Sequence, residues 1–250
     1  MDVRVQGAVA PGPFLSAADL LETEYSLSQP VEVHIRENPD ERTWAAHYDD
    51  HHVLNISRQA ATSVLARELA LHEFAHMARY EQRHASHTQS TDEALFLALS
   101  GESVERQKLA HCYQIANHMK DIYADDITLS LAPASKLADF FPSHLATAIS
   151  DHNSDASGLS PVEPTGADPA LTAVNAAFAL GLVERHGLVD ADHRLYDLAR
   201  AAAADAPAVG VDGFKRRFRS LVDDPTESDF RRDLVSVTKE YALDGGQAAD

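Results

Sequence analysis

Residues 69–78 read Leu-Ala-Leu-His72-Glu73-Phe-Ala-His76-Met-Ala, an HExxH pattern whose flanks are all uncharged. On a helix, residues four apart are rotated by about 40° around the axis, so both imidazoles can converge on one ion while Glu73 faces its open side. Those residue types at that spacing are what a zinc site with a carboxylate general base needs. A solvent-facing helix would carry Lys or Glu at several of the flanking places. Two His beside an acid in an apolar setting need partners that offset desolvation, and a metal supplies them. The stretch therefore predicts a buried helix over about 59–82, with His72 and His76 as metal ligands and Glu73 as the catalytic residue.

Upstream, the pattern changes to that of strands. Val31-Glu-Val-His-Ile35 alternates apolar and polar residues, Asn38-Pro-Asp marks a turn, and 43–48 and 52–57 read as two further strands joined near Asp49-Asp50. A small antiparallel sheet is expected to precede the HExxH helix, itself preceded by a capped helix over 16–25 that opens at Ser16. Downstream, 86–91 reads as loop, and helices are expected over about 92–99 and 102–128. The second of these carries His111, Gln114, Asn117, His118, Asp121, Asp125 and Asp126, a polar density unusual for a packing element. Residues 154–170 are rich in Ser, Gly, Pro and Asp and read as a linker. Four amphipathic segments follow at about 170–186, 191–204, 211–223 and 228–242, closed by Gly187, Pro207, Pro225 and Gly245, and predict a helical bundle.

A catalytic zinc ion takes three protein ligands and keeps one open position, so a third group must come from elsewhere in the chain. The places three and six residues after His76 hold Arg79 and Gln82, which excludes the metzincin pattern. Asp121 is the first candidate, because Asp121 and Asp125 share a helix face: one can bind while the other accepts the second ring N–H of a ligand His. Asp121-Ile-Tyr-Ala-Asp125 resembles the Glu-x-x-Ala-Asp of the heat-shock and prenyl-protein membrane metallopeptidases. With the HExxH helix, it makes residues 43–130 similar to the gluzincin metallopeptidases. The resemblance implies a zincin-like domain with Asp121 as third ligand and Asp125 supporting a ligand His. Asp stands where that family has Glu, and the membrane helices are missing. Glu93, in Thr91-Asp-Glu-Ala-Leu95, is the alternative third ligand, since many soluble gluzincins place a Glu on the helix after the HExxH helix. His118, one turn before Asp121, is a candidate transition-state donor, and Tyr80 and Tyr123 are weaker ones. His84 and His87 are expected on a loop. His34, His47, His51 and His52 fall on the expected sheet, with His51 and His52 able to approach the cleft.

Composition narrows the function further. Net charge is −18, from 39 acidic and 21 basic residues, and an acidic chain of this kind is a poor partner for nucleic acid. Lys is scarce, which resembles haloarchaeal cytoplasmic proteins, and the whole chain resembles an uncharacterised haloarchaeal family. Cys112 is the single cysteine, so any metal is held by His and carboxylates. No stretch is apolar enough to span a membrane and the N-terminus does not read as a signal peptide, giving the expectation of a cytoplasmic protein. The expected architecture is α+β: a zincin-like domain over 1–153, a linker over 154–170 and a helical region over 171–250. The expected activity is that of a Zn2+-dependent metallopeptidase acting on peptides or proteins. The alternatives are a catalytically silent zinc-binding scaffold and a helical interaction protein.

Overall fold

The computed structural model describes residues 1–39, 41–133, 135–155 and 168–244. Asp40 of the expected turn, most of the expected linker and Gly245 lie outside these. Among the described residues the chain is α+β, with eleven α-helices and a four-stranded sheet. It forms two compact units. The first comprises residues 1–89, 120–133 and 224–227, and the second the remainder. This division departs from the expected boundary at 153. A single 26-residue helix, Arg106–Leu131, has its first half in the second unit, while its later part sends Ala124 and Ile127 into the core of the first.

In the first unit, β1 (Val3–Gln6) and β2 (Val31–Arg36) pair in parallel, and β2 pairs in parallel with the last strand of the sheet, His52–Ser57. The strand Trp44–His47, here β3, lies antiparallel against His52–Ser57, here β4, so the spatial order is β1-β2-β4-β3. The sheet is therefore mixed, not antiparallel as expected. The reason is the helix α1 (Gly12–Leu21), which returns the chain to the end of the sheet where β1 began, the crossover that a parallel pair requires. With only four residues, β1 gave too short a pattern to be read. α1 begins at Gly12, four residues ahead of the expected start, because a proline in the first helical turn, here Pro13, loses no hydrogen bond.

Successive residues of a strand face opposite sides, and Val31, Val33, Leu54 and Ile56 all point to one face, where they are buried against α1 and the HExxH helix. That helix is two pieces, α2 (Arg58–Ala61) and α3 (Ala66–Glu81), not one. Local hydroxyls compete with the helix here: Thr62 Oγ1 bonds the Arg58 carbonyl, Ser63 Oγ bonds that of Ala60, and Leu65 N–H turns to Ser63 Oγ. At the far end of α3, Arg83 takes a left-handed conformation with φ of 53°. The His84 N–H bonds Arg79 C=O at 3.0 Å and the Arg83 N–H bonds Tyr80 C=O at 2.9 Å, a Schellman turn built without glycine. It leads into a one-turn helix, α4 (Ala85–Thr88), where a loop was expected.

The second unit contains α5 (Thr91–Leu99), the first half of α6 (Arg106–Leu131), α7 (Ser135–Asp155), α8 (Pro169–His186), α9 (Arg194–Asp205), α10 (Val211–Arg219) and α11 (Glu227–Asp244). The last four match the expected amphipathic segments within a few residues, and α7 is an addition to them. Gly181 sets the closeness of α8 and α10, since a Cβ there would meet Phe218 Cβ at 2.8 Å.

Truncating a side chain that joins the sheet to α3 should be expensive. Leu54→Ala is expected to lower the unfolding free energy by ~2–5 kcal/mol in urea denaturation, against less than ~0.5 kcal/mol for Val64→Ala at an exposed position.

Candidate metal centre

α3 is anchored through Ala70, Leu71, Phe74, Ala75 and Met77, all but inaccessible, so the intervening positions 72, 73 and 76 are fixed on the adjoining face. The second half of α6 packs beside it. Ala124 and Ile127 enter the core, the Arg79 guanidinium donates to the Tyr123 carbonyl at 3.0 Å, and Asp121 and Asp125 are left facing the two His.

The resulting distances fit a bound ion. His72 Nε2 and His76 Nε2 stand 3.1 Å apart, and Asp121 Oδ1 lies 3.3 Å from the second and 3.8 Å from the first. Donors held at ~2.0–2.1 Å around a tetrahedral zinc are separated by about 3.3 Å. Two ring nitrogens and a carboxylate oxygen are also donors that zinc accepts. Among the described residues these three make the one such group of His, Cys, Asp and Glu.

Each imidazole is held from behind. His72 Nδ1 lies 2.8 Å from Asp125 Oδ1, so the ring donates there and turns its bare Nε2 towards Asp121. His76 Nδ1 lies 2.8 Å from His87 Nε2, His87 Nδ1 lies 2.7 Å from Ser86 Oγ, and Ser86 Oγ lies 2.7 Å from His84 Nδ1. From sequence, His84 and His87 are expected on a loop and not as partners of His76. An HxSH spacing after the helix is the only trace of this second chain of partners in the sequence.

Charge at the site follows from burial and neighbours. Burial opposes the charged form of His72, but Asp125, then Asp121 and Glu73, outweigh it and raise its pKa to about 10. Burial raises Glu73, against the pull of His76 and His72 and a hydrogen bond from the Ala45 backbone on β3. His87 is held well below the ordinary imidazole range by burial and by His76 and Lys120, so it is a neutral partner.

Other candidates lie in different surroundings. Glu93 is exposed in the first turn of α5, within 3.9 Å of Arg231 in the second unit. His118 is buried in that unit, bonded to Asn175 Oδ1 at 2.8 Å and stacked on Phe178. Tyr123 is buried and packs on His84, whereas Tyr80 stacks on His47 with centroids 4.1 Å apart. His52 bridges His47 Nδ1 and Glu81 Oε1 at 3.1 Å each, and burial and His52 lower His47 to about 4. His51 pairs with Asp50 and His34 with Glu32.

The molecule is thus an α+β protein with a His-His-Asp group on two adjoining helices. Over residues 1–243 it matches a family of unknown function (DUF5781), to which the chain therefore belongs. No curated protein matches it, and no solved structure does.

Two outcomes are expected. Asp121→Ala should weaken zinc binding at least ~10-fold in competition titrations while Glu93→Ala leaves it unchanged. The metal-free fold should also lose stability in alkali. The His72 pKa is higher in the folded than in the unfolded chain, so its contribution is complete below the unfolded value of ~6.5 and is lost as pH rises through about 10. Denaturant midpoints measured across that window should fall, and the fall should shrink in Asp125→Asn.

Proposed function

We propose that the chain is a zinc-dependent metallopeptidase of zincin-like build, with His72, His76 and Asp121 as ligands, Glu73 as general base and Asp125 orienting His72. The observation that carries this reading is the approach of Asp121 Oδ1 to within 3.8 Å of both Nε2 atoms, from a helix 40 or more residues away in sequence. Zinc, when bound, supplies a Lewis acid that polarises a carbonyl and brings the pKa of a coordinated water towards ~7. Glu73 takes up the proton of the attacking water and passes it to the leaving amine. A carboxylate whose pKa burial has raised is a better base for this than an ordinary glutamate.

The peptide's seat is β3. β4 is paired on both sides, by β2 and β3, and has no free edge to offer. β3 pairs with β4 alone among the described strands, runs antiparallel to it and contributes the Ala45 amide to Glu73, so an extended substrate added there would pass the base. The acid-rich, Lys-poor composition suits work in a salt-rich cytoplasm.

Glu73→Gln in purified protein tests the assignment. Zinc stoichiometry by elemental analysis should stay at one per chain while cleavage of casein or a peptide falls by ~10²-fold or more. Zinc without turnover in the unmodified chain, at every salt concentration, would instead make this a scaffold.

A further inference from the structure

The metal centre proposed above needs His76 to meet the ion through Nε2, which requires its proton to sit on Nδ1. For His72 a carboxylate settles that point. His76 faces another imidazole, and a neutral imidazole pair can hydrogen-bond in either direction. What fixes the direction lies three side chains away. The Ser86 backbone N–H donates to His84 Nδ1 at 3.3 Å, capping the first turn of α4, and a backbone amide can only donate.

That single fixed donor propagates. His84 Nδ1 is an acceptor and carries no proton, so the Ser86 hydroxyl, 2.7 Å from it, must donate. The Ser86 oxygen then accepts from His87 Nδ1–H at 2.7 Å. With its proton on Nδ1, His87 presents a bare Nε2 that accepts from His76 Nδ1–H at 2.8 Å, and His76 Nε2 is left free for metal. We infer that His84, Ser86 and His87 are positioning residues for the metal centre, forming a one-way hydrogen-bond chain that holds His76 in its metal-binding tautomer.

The burial of the chain supports this. His84 and Ser86 are buried, so water is a poor substitute at either place, and the left-handed Arg83 turn aims the whole segment back along α3. A hydroxyl at 86 and an acceptor at 84 matter only through His87. Replacing His87 by Gln removes that dependence, because an amide carbonyl accepts the His76 proton whatever lies behind it.

The test is a double-mutant cycle read in zinc affinity by chelator competition, with the metal-free melting temperature recorded for each variant. Ser86→Ala should weaken zinc binding ~10-fold, within the range that outer hydrogen-bond partners of metal ligands contribute. In the His87→Gln background the same change should shift it less than ~2-fold. His84→Asn, which keeps an acceptor at the cap, should stay within ~3-fold of the unaltered chain, and His84→Ala should follow Ser86→Ala. An equal loss from Ser86→Ala in both backgrounds, or no loss in either, overturns the chain while the centre stands. Failure of the unaltered chain to bind zinc overturns both. Should the Ser86 or His84 variants not fold, long-range nitrogen–proton spectra of the unaltered metal-free protein decide instead. His87 is expected protonated at Nδ1 alone, and protonation at Nε2 overturns the inference.

Discussion

Two imidazole nitrogens 3.1 Å apart, each with its ring proton engaged on the far side, place lone pair against lone pair. That contact is repulsive unless a cation lies between or beside them. The raised pKa of His72 expresses how strongly Asp125, Asp121 and Glu73 favour positive charge there. A divalent ion at the proposed centre would meet the same demand with more charge. The rest of the first unit serves to keep this unfavourable juxtaposition from relaxing.

Several independent contacts do so. The apolar face of the sheet, from Val31, Val33, Leu54 and Ile56, meets Leu71, Phe74 and Met77, so α3 cannot rotate without exposing its core positions. Arg79 grips the Tyr123 carbonyl, and Ala124 and Ile127 anchor α6 on the same core, which fixes the depth at which Asp121 and Asp125 stand. Glu81, the last residue of α3, accepts the Ser28 and Gln29 amides at 2.7 and 3.0 Å and is reached by His52, tying the helix end to the segment that enters β2 and to the start of β4. An Asp has a shorter reach than a Glu, and this close, multiply pinned approach of α6 is what brings the Asp121 carboxylate beside the two imidazoles.

The parts of this arrangement that a sequence displays are those with a local period or spacing. HExxH, the four-residue step from Asp121 to Asp125 and the amphipathic C-terminal helices all repeat at helical intervals, and each is found close to where it was expected. Features that depend on pairing at a distance were misread. β1 is too short to show alternation, and nothing local reveals that α1 makes its pairing with β2 parallel, so the sequence reads as an antiparallel sheet. The His84–Ser86–His87 segment was hidden for a different reason. Its turn is formed by Arg83, where a left-handed C-terminal turn usually advertises itself with Gly, and α4 is too brief for periodicity. The division into two units was likewise invisible, because α6 continues without a break through both.

The two histidines of the proposed centre differ in the charge behind them, and the difference has a physical logic. A carboxylate partner raises the basicity of a ligand imidazole, as Asp125 does for His72. A second carboxylate behind His76 would add negative charge to a pocket that already holds Asp121, Asp125 and a buried Glu73. Each added charge would push the Glu73 pKa further up and move it towards the protonated form, in which it is no base. A neutral His87 orients His76 without that consequence, since burial keeps its own pKa well below the ordinary imidazole value. The cost of using a neutral partner is directional ambiguity, which a carboxylate never has. Resolving that ambiguity requires a donor that cannot reverse, and a backbone amide supplies one, reached here through Ser86 and His84. The length of the chain behind His76 thus follows from the decision to keep charge away from it.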